Sequence, residues 1–266
     1  MTILSTLAEA AARRTAEAKH LRPPEVLAAM TERLGPREFE FETALREARR
    51  TNPGRPAFIC ECKKASPSKG LIAPEYAAVD TALAYEAAGA DAVSVLTEPT
   101  AFLGGDGDLE AVARQVALPC LMKDFIVDPY RIHEARLLGA SAVLLIASLH
   151  TAASLKTLIR TAHGLGLSAL VETRSEQEVD RALHAGARVI GVNNRNLEDF
   201  TVDMGTSLRL RDAVPEGVLF VAESGIRSRD DVERLAFAGV DAVLVGEALM
   251  RERDHASALS RLRGTP

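Results

Sequence analysis

Short apolar runs alternate along the chain with longer stretches of mixed polarity. One phrase recurs four times: AAGADAVSVL from Ala87, LLGASAVLLI from Leu137, HAGARVIGV from His184 and FAGVDAVLVG from Phe237. Its glycines, Gly89, Gly139, Gly186 and Gly239, lie 50, 47 and 53 residues apart. Each phrase reads as a helix end, a glycine cap and a buried β-branched strand. A period near 50 is too long for one βα unit and suits two. Four further apolar runs fill the gaps: PAFICECK near Phe58, LPCLMKD near Leu121, LSALVET near Leu170 and GVLFVAESG near Val221.

Interleaving the two sets gives eight short strands. Segments of helical period follow them, such as PEYAAVDTALAYEAAG and SEQEVDRALHAG. Eight alternating units predict the α/β class and a (β/α)8 TIM barrel. An open doubly wound sheet would advertise GxGxxG after its first strand, and the chain has none. A length of 266 residues suits one such barrel. About residues 1–50 precede strand one and read as an N-terminal helical extension. Two helices are expected there, about 3–19 and 24–33, the second opened by Pro23-Pro24. No low-complexity linker divides the chain, so residues 1–266 are expected to form a single domain.

Composition narrows the partners. Hydrophobic residues make up 47% and charged residues 26%, the balance of a soluble globular protein. The formal net charge is −5 with no long basic run, which argues against nucleic acid or an anionic membrane surface. No apolar run approaches the roughly 20 residues of a membrane span. The N-terminal segment carries both charge signs, unlike a signal peptide. Three cysteines, Cys60, Cys62 and Cys120, fit a reducing cytoplasm. Cys60 and Cys62 lack a second pair to complete a zinc site, and the six histidines are scattered, so no metal is expected.

Barrels of this kind build their active sites at the C-terminal ends of the strands. Here those ends are charged: Glu61-Cys62-Lys63, Lys123-Asp124, Glu172, Asn193-Asn194-Arg195, Glu223-Ser224-Gly225 and Gly246-Glu247. Period two puts Glu61 and Lys63 on one face and Cys60 and Cys62 on the other. With the charged pair facing the barrel interior, the cysteines face the helices as small apolar residues. Glu61, Lys63, Lys123, Glu172 and Asn193 then converge on one mouth. A plug of ion pairs is the structural alternative. Several partly desolvated ionisable groups in one cleft are a costly way to build a plug and a common way to build a catalyst. Ser224-Gly225 and Gly246, after strands seven and eight, sit where barrels cradle phosphate. The loop Ser66-Pro67-Ser68-Lys69-Gly70 is by itself a weak signal.

Six segments together resemble the indole-3-glycerol phosphate synthases. They are Glu61 to Gly70, Leu121 to Ile126, Leu170 to Glu172, Ile190 to Leu197, Val221 to Ile226 and Val245 to Arg251. The resemblance covers nearly the whole chain. It implies a substrate, 1-(2-carboxyphenylamino)-1-deoxyribulose 5-phosphate, that is closed, decarboxylated and dehydrated to indole-3-glycerol phosphate. It implies no cofactor, because the arylamine nitrogen serves as the electron sink. Carried over residue by residue, Lys123 is the general acid for closure. Lys63 is placed to handle substrate charge and phosphate, with the proton for dehydration as a second role, and the division of acid roles between Lys63 and Lys123 stays open. Glu172 is the base, and Glu61 orients the lysines and hydroxyls. Asn193 and Ser224 bind the sugar hydroxyls or the developing charge. Arg195 and Glu223 support them. Phe102, Phe125 and Leu144 correspond to the slot for the aromatic ring. Ser66, Gly225, Gly246 and Glu247 are expected at the substrate, with the Ser66–Gly70 loop closing over it.

Two departures are visible. Ala65 stands where some members carry a basic residue, and the chain has no tryptophan to serve as an aromatic lid. An isomerase of the same pathway would use a cysteine–aspartate pair, whereas here the cysteines flank Glu61. A barrel that only binds sugar phosphates would have lost the acid–base set. The expected partner is a small sugar phosphate, and a monomer is the expected state.

Overall fold

The computed structural model describes residues 2–197 and 199–264. Eight parallel strands close a barrel in chain order. They are β1 (Ala57–Cys62), β2 (Ala92–Leu96), β3 (Cys120–Lys123), β4 (Ala142–Ile146), β5 (Ser168–Thr173), β6 (Val189–Asn193), β7 (Leu219–Glu223) and β8 (Ala242–Val245). β1 pairs with both β2 and β8, so no edge remains open. The helices α4 (Ala78–Ala87), α5 (Asp106–Gln115), α6 (Pro129–Leu137), α7 (Ala152–Gly164), α8 (Glu176–His184), α9 (Gly205–Leu210) and α10 (Arg229–Phe237) link successive strands. α11 (Glu247–Met250) and α12 (His255–Arg263) follow β8. The expected barrel is therefore present. α4 begins at Ala78 rather than at Pro74.

The repeated phrase has a structural cause. At each of the four glycines the backbone turns left-handed, and the next amide reaches back across the helix end. Ala90 bonds to Tyr85, Ala140 to Ala135, Ala187 to Ala182 and Val240 to Leu235, at 2.9 to 3.1 Å. This glycine cap satisfies the last helical carbonyls and aims the chain straight into the next strand. Two of the phrases also carry an aspartate that repeats a contact. Asp91 accepts from the Phe58 amide at 2.7 Å and Asp241 from the Phe220 amide at 2.8 Å, tying strands together at the N-terminal end of the barrel.

The core has two layers. One lies between strands and helices and includes Cys60 and Cys62, with Cys62 against the start of α4, as the alternation required. The other fills the barrel interior with Ala57, Ile59, Leu121, Leu144, Leu170 and Leu244. The N-terminal extension closes both ends of this inner column. It holds three helices rather than the two expected: α1 (Ile3–Leu21), α2 (Pro24–Leu34) and α3 (Glu40–Thr51). Phe41, Leu45 and Ala48 of α3 join the inner column, and α3 packs on β1, β2 and β5. Phe41 and Leu45 are fully buried, each contributing about 1.5–3 kcal/mol. Phe41, Leu45 and Ala48 follow the helical period, but the start of α3 carries no signal, because its N-cap is Phe39, left-handed and without a capping side chain. At the other end, Leu7 and Ala11 of α1 pack into the same column beside Phe125 and Leu144.

Candidate active site

The ends of β1, β3, β5, β6 and β7 bring Glu61, Lys123, Glu172, Asn193 and Glu223 to the mouth, while β2, β4 and β8 bring Leu96, Ile146 and Leu244. Glu61 ends the interior face of β1, and its carboxylate takes the Lys63 ammonium in a short ion pair. Lys123 ends β3. Its Nζ lies 3.7 Å from Glu172 Oε2 on β5 and 3.8 Å from Glu223 Oε2 on β7. Asn193 on β6 donates Nδ2 to Glu172 Oε1 at 3.1 Å. The Asn193 amide is oriented in turn, because its Oδ1 accepts the Arg195 backbone N–H at 2.9 Å. The Arg195 guanidinium reaches Glu247 at 3.2 Å and the Ser68 hydroxyl at 3.4 Å. These contacts join the ends of strands that lie far apart in sequence.

Burial sets the electrostatics. Desolvation raises the Glu61 carboxyl, but Lys63, Lys123 and Arg195 outweigh it and hold the group below the ordinary carboxylate range. Desolvation would strip the proton from Lys123. Glu172, Glu223 and Glu61 reverse that and push its pKa above the usual lysine value. Glu223 behaves oppositely. Burial, reinforced by the Glu172 charge, drives its carboxyl up to about 8 against the pull of Lys123. Glu223 Oε1 is buried and has no hydrogen-bond partner.

Glycines and one strained residue make room for these groups. A Cβ on Gly246 would lie 2.3 Å from Glu61 Oε1, and one on Gly191 would lie 2.2 Å from Glu223 Oε1. Ser224 adopts a left-handed φ of 66°, and Gly225 follows at 85°. Asn194 holds this turn by donating Nδ2 to the Ser224 carbonyl at 3.1 Å. Its Oδ1 is fixed by the Ser207 amide and hydroxyl at 3.0 and 2.9 Å. A non-glycine residue in this region costs on the order of 1 kcal/mol or more and persists only where its surroundings enforce it.

All fifteen residues put forward from the sequence line one cavity of about 540 Å³. Besides the six acid–base and polar groups, these are Ser66, Phe102, Phe125, Leu144, Arg195, Glu223, Gly225, Gly246 and Glu247. The rings of Phe102 and Phe125 stand 6.3 Å apart and tilted, walling one side with Leu144. The Ser66 loop forms a small antiparallel ladder, Ala65–Ser66 with Gly70–Leu71. The sequence reading missed Ile3, Leu4 and Leu7 of α1, which supply apolar wall where no tryptophan exists. It also missed Phe200, Arg227 and Arg251. The α1 residues belong to an apolar stripe that continues through Ala11, a helical spacing that signalled a docked face. Asp124, next to Lys123, also borders the cavity, but its carboxylate is engaged by arginines behind the wall. It takes Arg131 at 2.9 Å and Arg14 at 2.9 Å.

Residues 5–262 match the family model described as indole-3-glycerol phosphate synthase. A relative of that name from Ruminiclostridium cellulolyticum is 52% identical over 85% of each chain. One from Carboxydothermus hydrogenoformans is 49% identical over 82% of this chain and 84% of its own. One from Leuconostoc mesenteroides is 47% identical over 86% of each. Among solved structures, a thiamine phosphate pyrophosphorylase from Pyrococcus furiosus superposes with a TM-score of 0.58, covering 79% of this chain and 95% of its own. At 18% identity it shows the shared fold alone. With its barrel, its charged mouth and these matches over nearly its full length, the chain belongs to the indole-3-glycerol phosphate synthase family.

Proposed function

We propose that the protein converts 1-(2-carboxyphenylamino)-1-deoxyribulose 5-phosphate into indole-3-glycerol phosphate, carbon dioxide and water, a step of tryptophan biosynthesis. The observation that carries this reading is the Lys123 ammonium, kept charged among carboxylates at the mouth and close to an aromatic-walled slot. The aryl ring occupies the slot of Phe102, Phe125 and Leu144. The phosphate lies toward the loops after β7 and β8, where Ser224, Gly225 and Gly246 are joined by Arg227 and Arg251.

The ring carbon bearing the carboxylate attacks the ketone carbon, and a carbon–carbon bond forms. The ketone oxygen gains the electron pair and takes a proton from Lys123. An alkoxide is more basic than an amine, so this transfer runs downhill even from a lysine of raised pKa. The ring loses aromaticity as its nitrogen becomes an iminium. The bond to the carboxylate then breaks, carbon dioxide departs, and its electron pair restores the ring and neutralises the nitrogen. Last, Lys63 protonates the new hydroxyl, which leaves as water. Glu172 removes a proton from the neighbouring carbon beside nitrogen, closing the indole double bond. Two protons are delivered and one is removed. The difference matches the carboxylate charge that leaves as neutral gas.

The surrounding groups serve these transfers. Asn193 holds Glu172 from one side, so its other oxygen faces Lys123. Glu61 holds Lys63. Glu223 turns Oε2 toward Lys123 and so helps hold that ammonium at the mouth. The working unit is taken to be a monomer. Three buried free cysteines support a reducing cytoplasm as its setting. Among the described residues no helix is long and apolar enough to cross a membrane. The test is to mix purified protein with the substrate, without metal or nucleotide, and identify the products by mass spectrometry. Equimolar carbon dioxide and indole-3-glycerol phosphate are expected. Well-folded protein that leaves the substrate intact would overturn the reading.

A further inference from the structure

Glu98, two residues beyond β2, is fully buried at the start of the turn that carries Phe102. One carboxylate organises that whole turn. Its Oε1 accepts the Thr100 amide at 2.9 Å and the Thr100 hydroxyl at short range. Its Oε2 accepts the Ala101 amide at 2.7 Å and the Phe102 amide at 3.0 Å. The Arg14 guanidinium of α1 lies 3.5 Å away, too loosely aligned for a hydrogen bond, and also pairs with Asp124. The turn is closed behind Phe102 as well. Leu103 is left-handed at a φ of 54°, and Gly104 returns its amide to the Glu98 carbonyl at 3.0 Å. Gly104 sits so close to β2 that a Cβ would lie 2.0 Å from the Leu96 carbonyl oxygen.

This arrangement leaves the Phe102 backbone little freedom. Its amide is bound to Glu98, and its carbonyl accepts the Ala65 amide at 3.2 Å, at the root of the Ser66 loop. Phe102 in turn faces Phe125 across the cavity wall. Burial raises the Glu98 carboxyl, yet the donors from Thr100, Ala101 and Phe102 bring it below the ordinary range, so it stays an all-acceptor group.

We infer that Glu98 is a positioning residue that fixes the Phe102 ring and so sets affinity for the aryl half of the substrate, leaving the sugar-phosphate half untouched. The inference rests on Phe102 being part of the aryl slot, as proposed above. Glu98→Gln is the sharp test, because it keeps the shape and puts an NH2 group against backbone donors. Loss of charge-assisted bonds of this kind weakens an interaction by about tenfold or more. The chain has no tryptophan, so binding of indole-3-glycerol phosphate is read directly from its own fluorescence. D-ribulose 5-phosphate, which lacks the ring, is measured by competition.

Glu98→Gln is expected to raise Kd for indole-3-glycerol phosphate by about tenfold and to change Kd for D-ribulose 5-phosphate by less than about threefold. Thr100→Val removes one donor at an exposed position and keeps the core intact. It is expected to give the same selective loss on a smaller scale, about two- to fourfold. Phe102→Ala separates the two layers of the argument. If it leaves aryl binding unchanged, the slot is misplaced and the inference falls with it. If Phe102→Ala loses aryl affinity while Glu98→Gln and Thr100→Val keep it, the slot stands and the role of Glu98 is overturned. Equal losses for both ligands would also overturn it, since they would mark general unfolding of the mouth.

Discussion

Gly246→Ala probes how tightly the mouth is built around Glu61. The added methyl would sit 2.3 Å from Glu61 Oε1 and 3.0 Å from both its Cβ and Cδ. Ordinary contact begins near 3.4 Å, so the carboxylate must move by about 1 Å. It cannot simply rotate its tip, because the root of the side chain is also in the way. Moving Glu61 disturbs the ion pair that aims Lys63. Misplacing a catalytic group by about 1 Å costs on the order of a hundredfold. Overpacking costs about 1–3 kcal/mol of stability, which a chain of this size shows as a few degrees of Tm. Steady-state kinetics by indole fluorescence should therefore show kcat lowered about a hundredfold, KM changed only a few-fold, and a cooperative melt. Gly107→Ala is the control, with nothing within 4 Å of the added atom. A kcat within about threefold of the parent would refute the reasoning. A rise confined to KM would leave Gly246 its place at the phosphate end but no bearing on Glu61.

Two further outcomes follow from the buried charges. Glu223 holds its proton up to about pH 8 in the folded chain, whereas an unfolded glutamate releases it near about 4.3. Between these values the folded state binds more protons, so this group's contribution to stability falls as pH rises. Glu223→Gln keeps the neutral shape, so its Tm should gain on the parent progressively from pH 5 to pH 8.5; a difference that stays flat with pH would show that the carboxyl is not perturbed. Arg131→Met strips the buried Asp124 of its main cation and leaves Asp106 and Glu134 without theirs. Uncovering a buried charge costs about 3–5 kcal/mol, so Tm should drop by roughly ten degrees or more. A melt within two degrees of the parent would mark the network as dispensable.

Much of this molecule was readable because its local rules and its fold agree. The phrase around Gly89, Gly139, Gly186 and Gly239 is a helix cap that only a left-handed residue completes, so the repeat announced the strand that follows. Glu61, Lys63, Lys123, Glu172 and Asn193 were legible because polar residues ending apolar strands have few other uses. α3 was missed although Phe41, Leu45 and Ala48 stand at the i, i+4, i+7 spacing of a helix face; what it lacks is a capping side chain at Phe39 to mark its start. The α1 contribution was hidden for a different reason. Its stripe shows that Leu7 and Ala11 are covered, but only the fold places them beside Phe125 and Leu144 at the mouth rather than against a neighbouring helix. Asp124 shows the limit from the other side. It stands next to Lys123 with the same charged character, and only its partners Arg131 and Arg14 reveal a structural task.

The central claim is that Lys123, kept charged by its carboxylate neighbours, delivers the proton that lets the ring close. Single-turnover fluorescence with Lys123→Met, beside a product titration on the same sample, tests it most directly. The account predicts that the rate of indole formation falls by about 10²–10⁴-fold while product Kd changes only a few-fold. A variant whose single-turnover rate stays within about tenfold of the parent would contradict the account and assign the proton to another group.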